Sequence, residues 1–241
     1  MLTQRTVRLL ISLVLVVPFL LHATGALRFG ALQQLENIAY DTRLNLTLPG
    51  TVDDRIVIVD IDESSLKALG RWPWPRDTLA RLVDRLFVHY DVRALGFDVV
   101  FAEKDENSAT EILDRLASGP LSDDARFQRQ YERIAPELDR DRIFARSLED
   151  RNVVLGYFFR RRVEQGDPTT GQLPEPLANA EAVGAKSLPL ARPEGYGANL
   201  ELLQEHAQGA GFFDNPLVSG DGVFRRVPLL QQYESGLYEL L

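Results

Sequence analysis

The chain has 241 residues, with 27 Lys or Arg against 35 Asp or Glu and no cysteine. Its 45% apolar content excludes intrinsic disorder and leaves room for one large domain or two small ones. A net charge of −8 and a pI near 5.0 exclude the basic face of a nucleic-acid-binding domain, and the missing cysteines exclude disulfides, thiolate metal ligation and a cysteine nucleophile.

From Leu9 to Leu27 the sequence LLISLVLVVPFLLHATGAL carries no charge and is bracketed by Arg5 and Arg8 before it and Arg28 after it. A bilayer core needs about 20 apolar residues of helix, so a transmembrane helix is expected over 9–27. The competing reading is a cleaved secretory signal with Ala23 and Gly25 at the cleavage point. The run is longer than the apolar region of about 7–15 residues usual in such signals. Arg5 and Arg8 favour a cytoplasmic start for residues 1–8, and both readings place 28–241 outside the cytoplasm. Without those two arginines the remainder has 25 basic and 35 acidic residues, a net −10 that suits a solvated domain and disfavours adhesion to an anionic membrane.

Farther along, Arg55 to Ile61 contains IVIVDI, a continuous β-branched run that reads as a central strand covered on both faces. After Pro75, Leu79, Leu82, Val83, Leu86, Phe87 and Tyr90 fall at helical spacing, and ALGFDVVF from Ala94 to Phe101 reads as the next strand. Strand, helix, strand makes a right-handed βαβ unit with parallel pairing. Between Asp105 and Arg151, apolar residues three and four apart predict two or three amphipathic helices, and VVLGYFF within 152–159 predicts a third buried strand. Residues 160–193 are punctuated by Gly and Pro and read as an irregular surface excursion. Strands are expected at 210–214 and 222–231 as an antiparallel hairpin. GLYELL at 236–241 reads as an apolar helix start, and hence the sequence as a fragment truncated at its C-terminus. The fold class is therefore α/β: a mixed, mainly parallel sheet flanked by helices, with an antiparallel C-terminal hairpin and one N-terminal transmembrane helix.

Asp60, Asp62 and Glu63 follow the first expected strand, and Asp98, Glu103 and Asp105 surround the second. Ligands of open α/β sheets sit at that edge, and carboxylates converging there hold divalent cations through oxygen. Equally, such carboxylates cap helices or accept hydrogen bonds from Trp72, Trp74 and Arg76. The stretch Gly70 to Arg76, GRWPWPR, places the only two tryptophans in a stiff loop. It either walls a pocket in which Arg76 offers a fork to an anion, or forms a rigid lid over the sheet end. Arg160-Arg161-Arg162 and Arg225-Arg226 read as solvated edge charges. His22, His89 and His206 lack metal-ligand spacing. Asp60-Ile61-Asp62 resembles the first motif of haloacid-dehalogenase-type phosphatases, in which the first Asp is a phosphoryl nucleophile. Ser64 stands where that family expects Thr or Val, and the later motifs are missing. Phosphate-cradling glycine loops and a nucleophile elbow are also absent from the sequence.

Five ordered blocks carry a wider resemblance: Tyr40-Asp41-x-Arg43, IVIVDIDESSL (56–66), LGRWPWPR (69–76), GFDVVFAEKD (96–105) and GFFDNPLVSGDGVFRRVPLL (211–230). Together, over roughly Leu32 to Leu241, they resemble the second class of CHASE domains, extracytoplasmic sensor modules of bacterial receptors. Asp60, Asp62, Trp72, Trp74, Arg76, Asp98, Asp221 and Arg225 occupy motif positions, although the family supplies no verified ligand site. The resemblance implies a non-enzymatic sensor, without cofactor, feeding a cytoplasmic output domain beyond these residues, foremost a class III adenylate or guanylate cyclase. Histidine kinases and diguanylate cyclases are other outputs. The expected setting is the inner membrane, with 28–241 in the periplasm or extracellular space and a homodimer as the working form. The expected ligand-binding residues are Asp60, Asp62, Trp72, Trp74, Arg76 and Asp98, and the ligand is an unidentified small molecule or protein. The alternatives are a structural dimerisation module without ligand and an exported metal-dependent phosphohydrolase using Asp60 and Asp62.

Overall fold

One strand organises the sheet, and the reason lies in its sequence: VVLGYFFR supplies β-branched and aromatic side chains to both faces, so it is buried only if both of its edges are paired. The computed structural model describes residues 3–27, 29–105, 108–162, 169–217 and 220–241. It divides into two units, Met1–Asp60 and Ile61–Leu241.

In the first unit, helix α1 (Gln4–Ala23) starts at Thr3, whose hydroxyl accepts from the Thr6 N–H, and has no buried residue. Its 20 residues are long and apolar enough to cross a membrane. Helix α2 (Gly30–Thr47) leaves Leu35 and Ile38 exposed three residues apart. The IVIV run differs from expectation. It is extended but unpaired among the described residues, with Ile56, Val57 and Ile58 72%, 78% and 88% exposed. Strand propensity acts through cross-strand neighbours, and this run has none within its unit.

In the second unit the elements are α3 (Glu63–Leu69), α4 (Arg76–Val88), β1 (Leu95–Phe97), α5 (Ser108–Ser118), α6 (Ala125–Leu138), α7 (Arg140–Leu148) and β2 (Val153–Arg160). They are followed by β3 (Thr169–Thr170), β4 (Ala178–Asn179), β5 (Gly195–Gly197), α8 (Glu201–His206), β6 (Gly209–Phe212), β7 (Leu230–Tyr233) and β8 (Gly236–Glu239). Strand β2 pairs in parallel with β1 and β6, and its far end pairs antiparallel with β5, which in turn lies parallel to β3. A smaller antiparallel sheet has the order β4-β8-β7.

The expected βαβ unit is thus replaced. The parallel neighbour of β1 is β2, reached through α5, α6 and α7, and not the IVIV run. The C-terminal hairpin is present, but it is β7 with β8, turned at Glu234 and Ser235, while β6 joins the main sheet. GLYELL at 236–241 therefore contributes a strand and not a helix, and Leu240 bridges back to Phe212. The excursion between 160 and 193 holds β3, β4 and a 3₁₀ turn, with 163–168 outside the described residues.

The core lies between this sheet and the packed pair α4 and α7. Val153, Leu155 and Tyr157 of β2 are fully buried together with Val83, Phe144 and Leu148. Each such side chain contributes about 1.5–3 kcal/mol by leaving water. Phe97, Phe101 and Phe144 meet edge-on with centroids 5.2–5.9 Å apart. Gly156 is required at the crowded centre, because a Cβ there would lie 2.4 Å from the Phe97 carbonyl oxygen and 2.8 Å from the Phe213 ring.

Candidate functional site

A cleft of about 420 Å³ opens where the loop before α4 meets the ends of β1 and β2; Trp72, Arg76, Phe101, Glu103, Phe158 and Arg160 are among its walls. Pro75 and the fixed geometry of the Trp-Pro-Trp-Pro stretch deliver Arg76 as the first residue of α4. Trp72 stands edge-on to Trp74 at 5.7 Å, and the Trp72–Pro73 peptide is cis.

Arg76 is 8% exposed and held from several directions. Its backbone N–H donates to Asp105 Oδ2 at 2.8 Å, so a carboxylate 29 residues away caps α4. Its guanidinium donates to the Glu103 carbonyl at 3.2 Å, lies 4.5 Å over the Phe101 ring centroid, and has Nε 3.5 Å from Asp141 Oδ1. Asp141 Oδ2 accepts the Asp105 N–H at 3.0 Å, and Arg140 approaches Asp105 and Asp77 at 3.9 and 3.5 Å. Burial lowers the Arg76 pKa from its usual value against the pull of Asp141 and Asp105. Burial likewise raises that of Asp141, against the Asp105 N–H and Arg76. In both groups burial is the largest cause of the shift, opposed by the partner's charge.

The cleft floor is fixed by Asn199, which is fully buried. Its Oδ1 accepts the Phe101 N–H at 2.8 Å, and its Nδ2 donates to the Gly156 carbonyl at 3.0 Å. One side chain thus ties the loop after β1 to the middle of β2. Asp214 ties the neighbouring region, accepting the Phe159 N–H at 2.7 Å and Gln231 Nε2 at 3.0 Å.

Of the six residues expected from sequence, Trp72 and Arg76 line the cleft. Trp74 does not line it. Its ring is core, 6% exposed, and its indole N–H donates to the Gly70 carbonyl at 3.0 Å. Asp98 is exposed just beyond β1, outside the lining. Asp62 caps α3, accepting both the N–H (2.8 Å) and the hydroxyl (2.6 Å) of Ser65, which lower its pKa. Asp60 is exposed and belongs to the first unit. The phosphatase-like geometry needs a paired strand that presents Asp60 and Asp62 at its end. The run before them forms no ladder among the described residues, and Asp62 caps α3.

Arg160 corrects an expectation: it is half-buried at the cleft, 5.7 Å over Phe158, whereas Arg161 and Arg162 are exposed. Arg225 is also not a free edge charge. Its side chain is 10% exposed and pairs with Asp221 at 2.8 Å, which holds the Asp221 carboxyl down at about 2. Asn199, Asp141 and Asp214 carried no sequence signal, since each acts on a partner far away in the chain.

The chain thus combines an N-terminal helix long and apolar enough to cross a membrane with an α/β unit that carries a walled cleft. The family model described as CHASE2 domain matches residues 12–241, and the chain belongs to this family of extracytoplasmic sensor domains of signalling receptors. Searches of curated proteins and of solved structures find no match.

Proposed function

We propose that the chain is the membrane-anchored sensor of a bacterial receptor. Residues 1–8 lie in the cytoplasm, 9–27 cross the inner membrane and 28–241 form the extracytoplasmic sensor, whose ligand enters the cleft walled by Trp72 and Arg76. A ligand that binds one of two states better than the other biases the transmembrane helix by that difference in affinity. The output is a following cytoplasmic domain, foremost a class III adenylate or guanylate cyclase. The exposed Leu35 and Ile38 face of α2 supports a homodimer, since two copies joined there would remove both from water.

The observation that carries this reading is the family match extending from within the apolar helix through the whole α/β unit. The absence of native cysteine makes the topology directly testable. Glu132→Cys, on an exposed face of α6, should react with a membrane-impermeant maleimide in intact spheroplasts, and Thr3→Cys only after lysis. The reverse labelling pattern would overturn the orientation.

A further inference from the structure

A second cleft, of about 580 Å³, has Tyr157 of β2 in its lining. It is enclosed by α8, the start of β6, β8 and the segment 172–177, and shares no lining residue with the Trp72 cleft. Its charged lining residues are Glu175, Glu201, Glu205 and Glu239, all exposed, with no Lys, Arg or His among the lining. None of the four takes part in an ion pair among the described residues.

Acidic rims are common on an acidic protein, and this one would carry nothing by itself. The floor supplies the second observation. Tyr157 is fully buried and its hydroxyl has no hydrogen-bond partner among the described residues; Oε1 of Gln204 is likewise buried and without a partner among them. Both residues line this cleft. A buried polar atom without a partner costs about 1–3 kcal/mol, and native interiors leave few of them. The Tyr238 ring, edge-on to Tyr157 at 6.4 Å, adds an aromatic wall.

Most of the unmet needs share a sign. Four carboxylates and an amide oxygen only accept hydrogen bonds, and the phenol oxygen can accept as well as donate, so the complementary molecule is rich in N–H donors and positive. No three carboxylates among the described residues come close enough to hold a metal ion, so the negative charge is spread along the cleft. We propose that this cleft binds a small organic cation, an alkyl amine or guanidinium, with the carboxylates of Glu201, Glu205 and Glu239 balancing its charge and the Tyr157 hydroxyl and Gln204 oxygen accepting its N–H groups. The binding site stands independently of which output the receptor drives and of what enters the Trp72 cleft.

Agmatine and spermidine are the probes, titrated calorimetrically into the full chain in neutral detergent at matched ionic strength, with succinate as the anionic control. At least one amine should bind saturably and succinate should not. The Glu201→Gln/Glu205→Gln/Glu239→Gln variant should weaken that binding by more than about tenfold, since charge-assisted hydrogen bonds are the strong ones. Tyr157→Phe, which keeps the ring and removes only the oxygen, should weaken it severalfold without lowering the melting temperature. Glu132→Gln/Glu137→Gln on α6 changes the net charge elsewhere and should leave binding unchanged. Failure of both amines to saturate, binding that survives the triple variant, or an equal loss in the α6 variant would each overturn the proposal, the last by showing only non-specific attraction to an acidic protein.

Discussion

The two clefts of the second unit are built from the same central strand with opposite chemistry. At the first, the lining cations Arg76 and Arg160 lie over aromatic rings, and Arg76 is further anchored by Asp141 and the Glu103 carbonyl. At the second, the lining carboxylates make no ion pair and the buried Tyr157 hydroxyl has no hydrogen-bond partner among the described residues. The first is a site whose polar groups are largely committed to the fold, so changing them tests stability and binding together. The second holds polar groups that the fold does not use, and changing those separates binding from stability.

The largest effect should come from removing a committed group at the first cleft. Asn199→Ala leaves the Phe101 N–H and Gly156 carbonyl buried without partners, and about 2–5 kcal/mol of stability should be lost, read as a shift in urea midpoint at constant m-value. Gly156→Ala should be comparably severe, near 2–4 kcal/mol by about the usual cost of overpacking a core, because both neighbours of the new Cβ are fixed.

Next comes the buried pair. Arg76→Met strands Asp141, itself 8% exposed, and should cost about 3 kcal/mol. Adding Asp141→Asn removes the uncompensated charge while keeping an acceptor for the Asp105 N–H, and should restore part of that loss in a double-mutant cycle. If the double variant is no more stable than Arg76→Met alone, the pair is not the coupled unit described above.

Acidity gives a smaller signal of known sign. The pKa of Asp141 is raised above 3.8 on folding, so in the window just above that value the folded chain holds a proton the unfolded chain has released. Its contribution to stability is therefore full at low pH and declines as pH rises through the folded pKa. Asp221 runs the other way: held at about 2, its stabilising effect is present above the ordinary carboxylate value and fades as pH falls toward 2. Asp141→Asn should flatten the first slope and leave the second, as seen in melting temperature against pH.

The smallest effect is expected at the second cleft. Tyr157→Phe should be neutral or stabilising by up to about 1 kcal/mol, because it deletes a buried oxygen with no partner. A clear loss of stability on that substitution would mean the hydroxyl is satisfied, and the contrast between the clefts would fail.

Legibility in the sequence followed the range of each interaction. Helices α4 to α7, strand β2 and the apolar N-terminal helix announce themselves by local periodicity, and Gly70 to Arg76 marks its own loop by composition. Trp72 and Arg76 were therefore readable as cleft residues. The strand expected within Arg55 to Ile61 forms no ladder among the described residues, because pairing is decided by neighbours, not by β-branching alone. The hairpin was right in kind and wrong in members, since the polar stretch 215–222 resembles a turn as much as Glu234-Ser235 does. The place of Asp62 after an apolar run suggests a site residue, yet its helix-cap role is equally local and is the one it takes. The acidic cleft is assembled from β2, the 172–177 segment, α8 and β8, so no window of sequence contains it.

The central claim, that this is a ligand-receiving sensor domain, is most directly met by thermal unfolding of the full chain against panels of organic amines, carboxylates, nucleotides and metal ions. A ligand at 100 times its dissociation constant should stabilise the folded state by about 2.7 kcal/mol, and the account predicts such a shift from at least one panel, diminished by Trp72→Ala or by Tyr157→Phe according to the cleft it enters. No shift from any panel would contradict it and favour a structural dimerisation module instead.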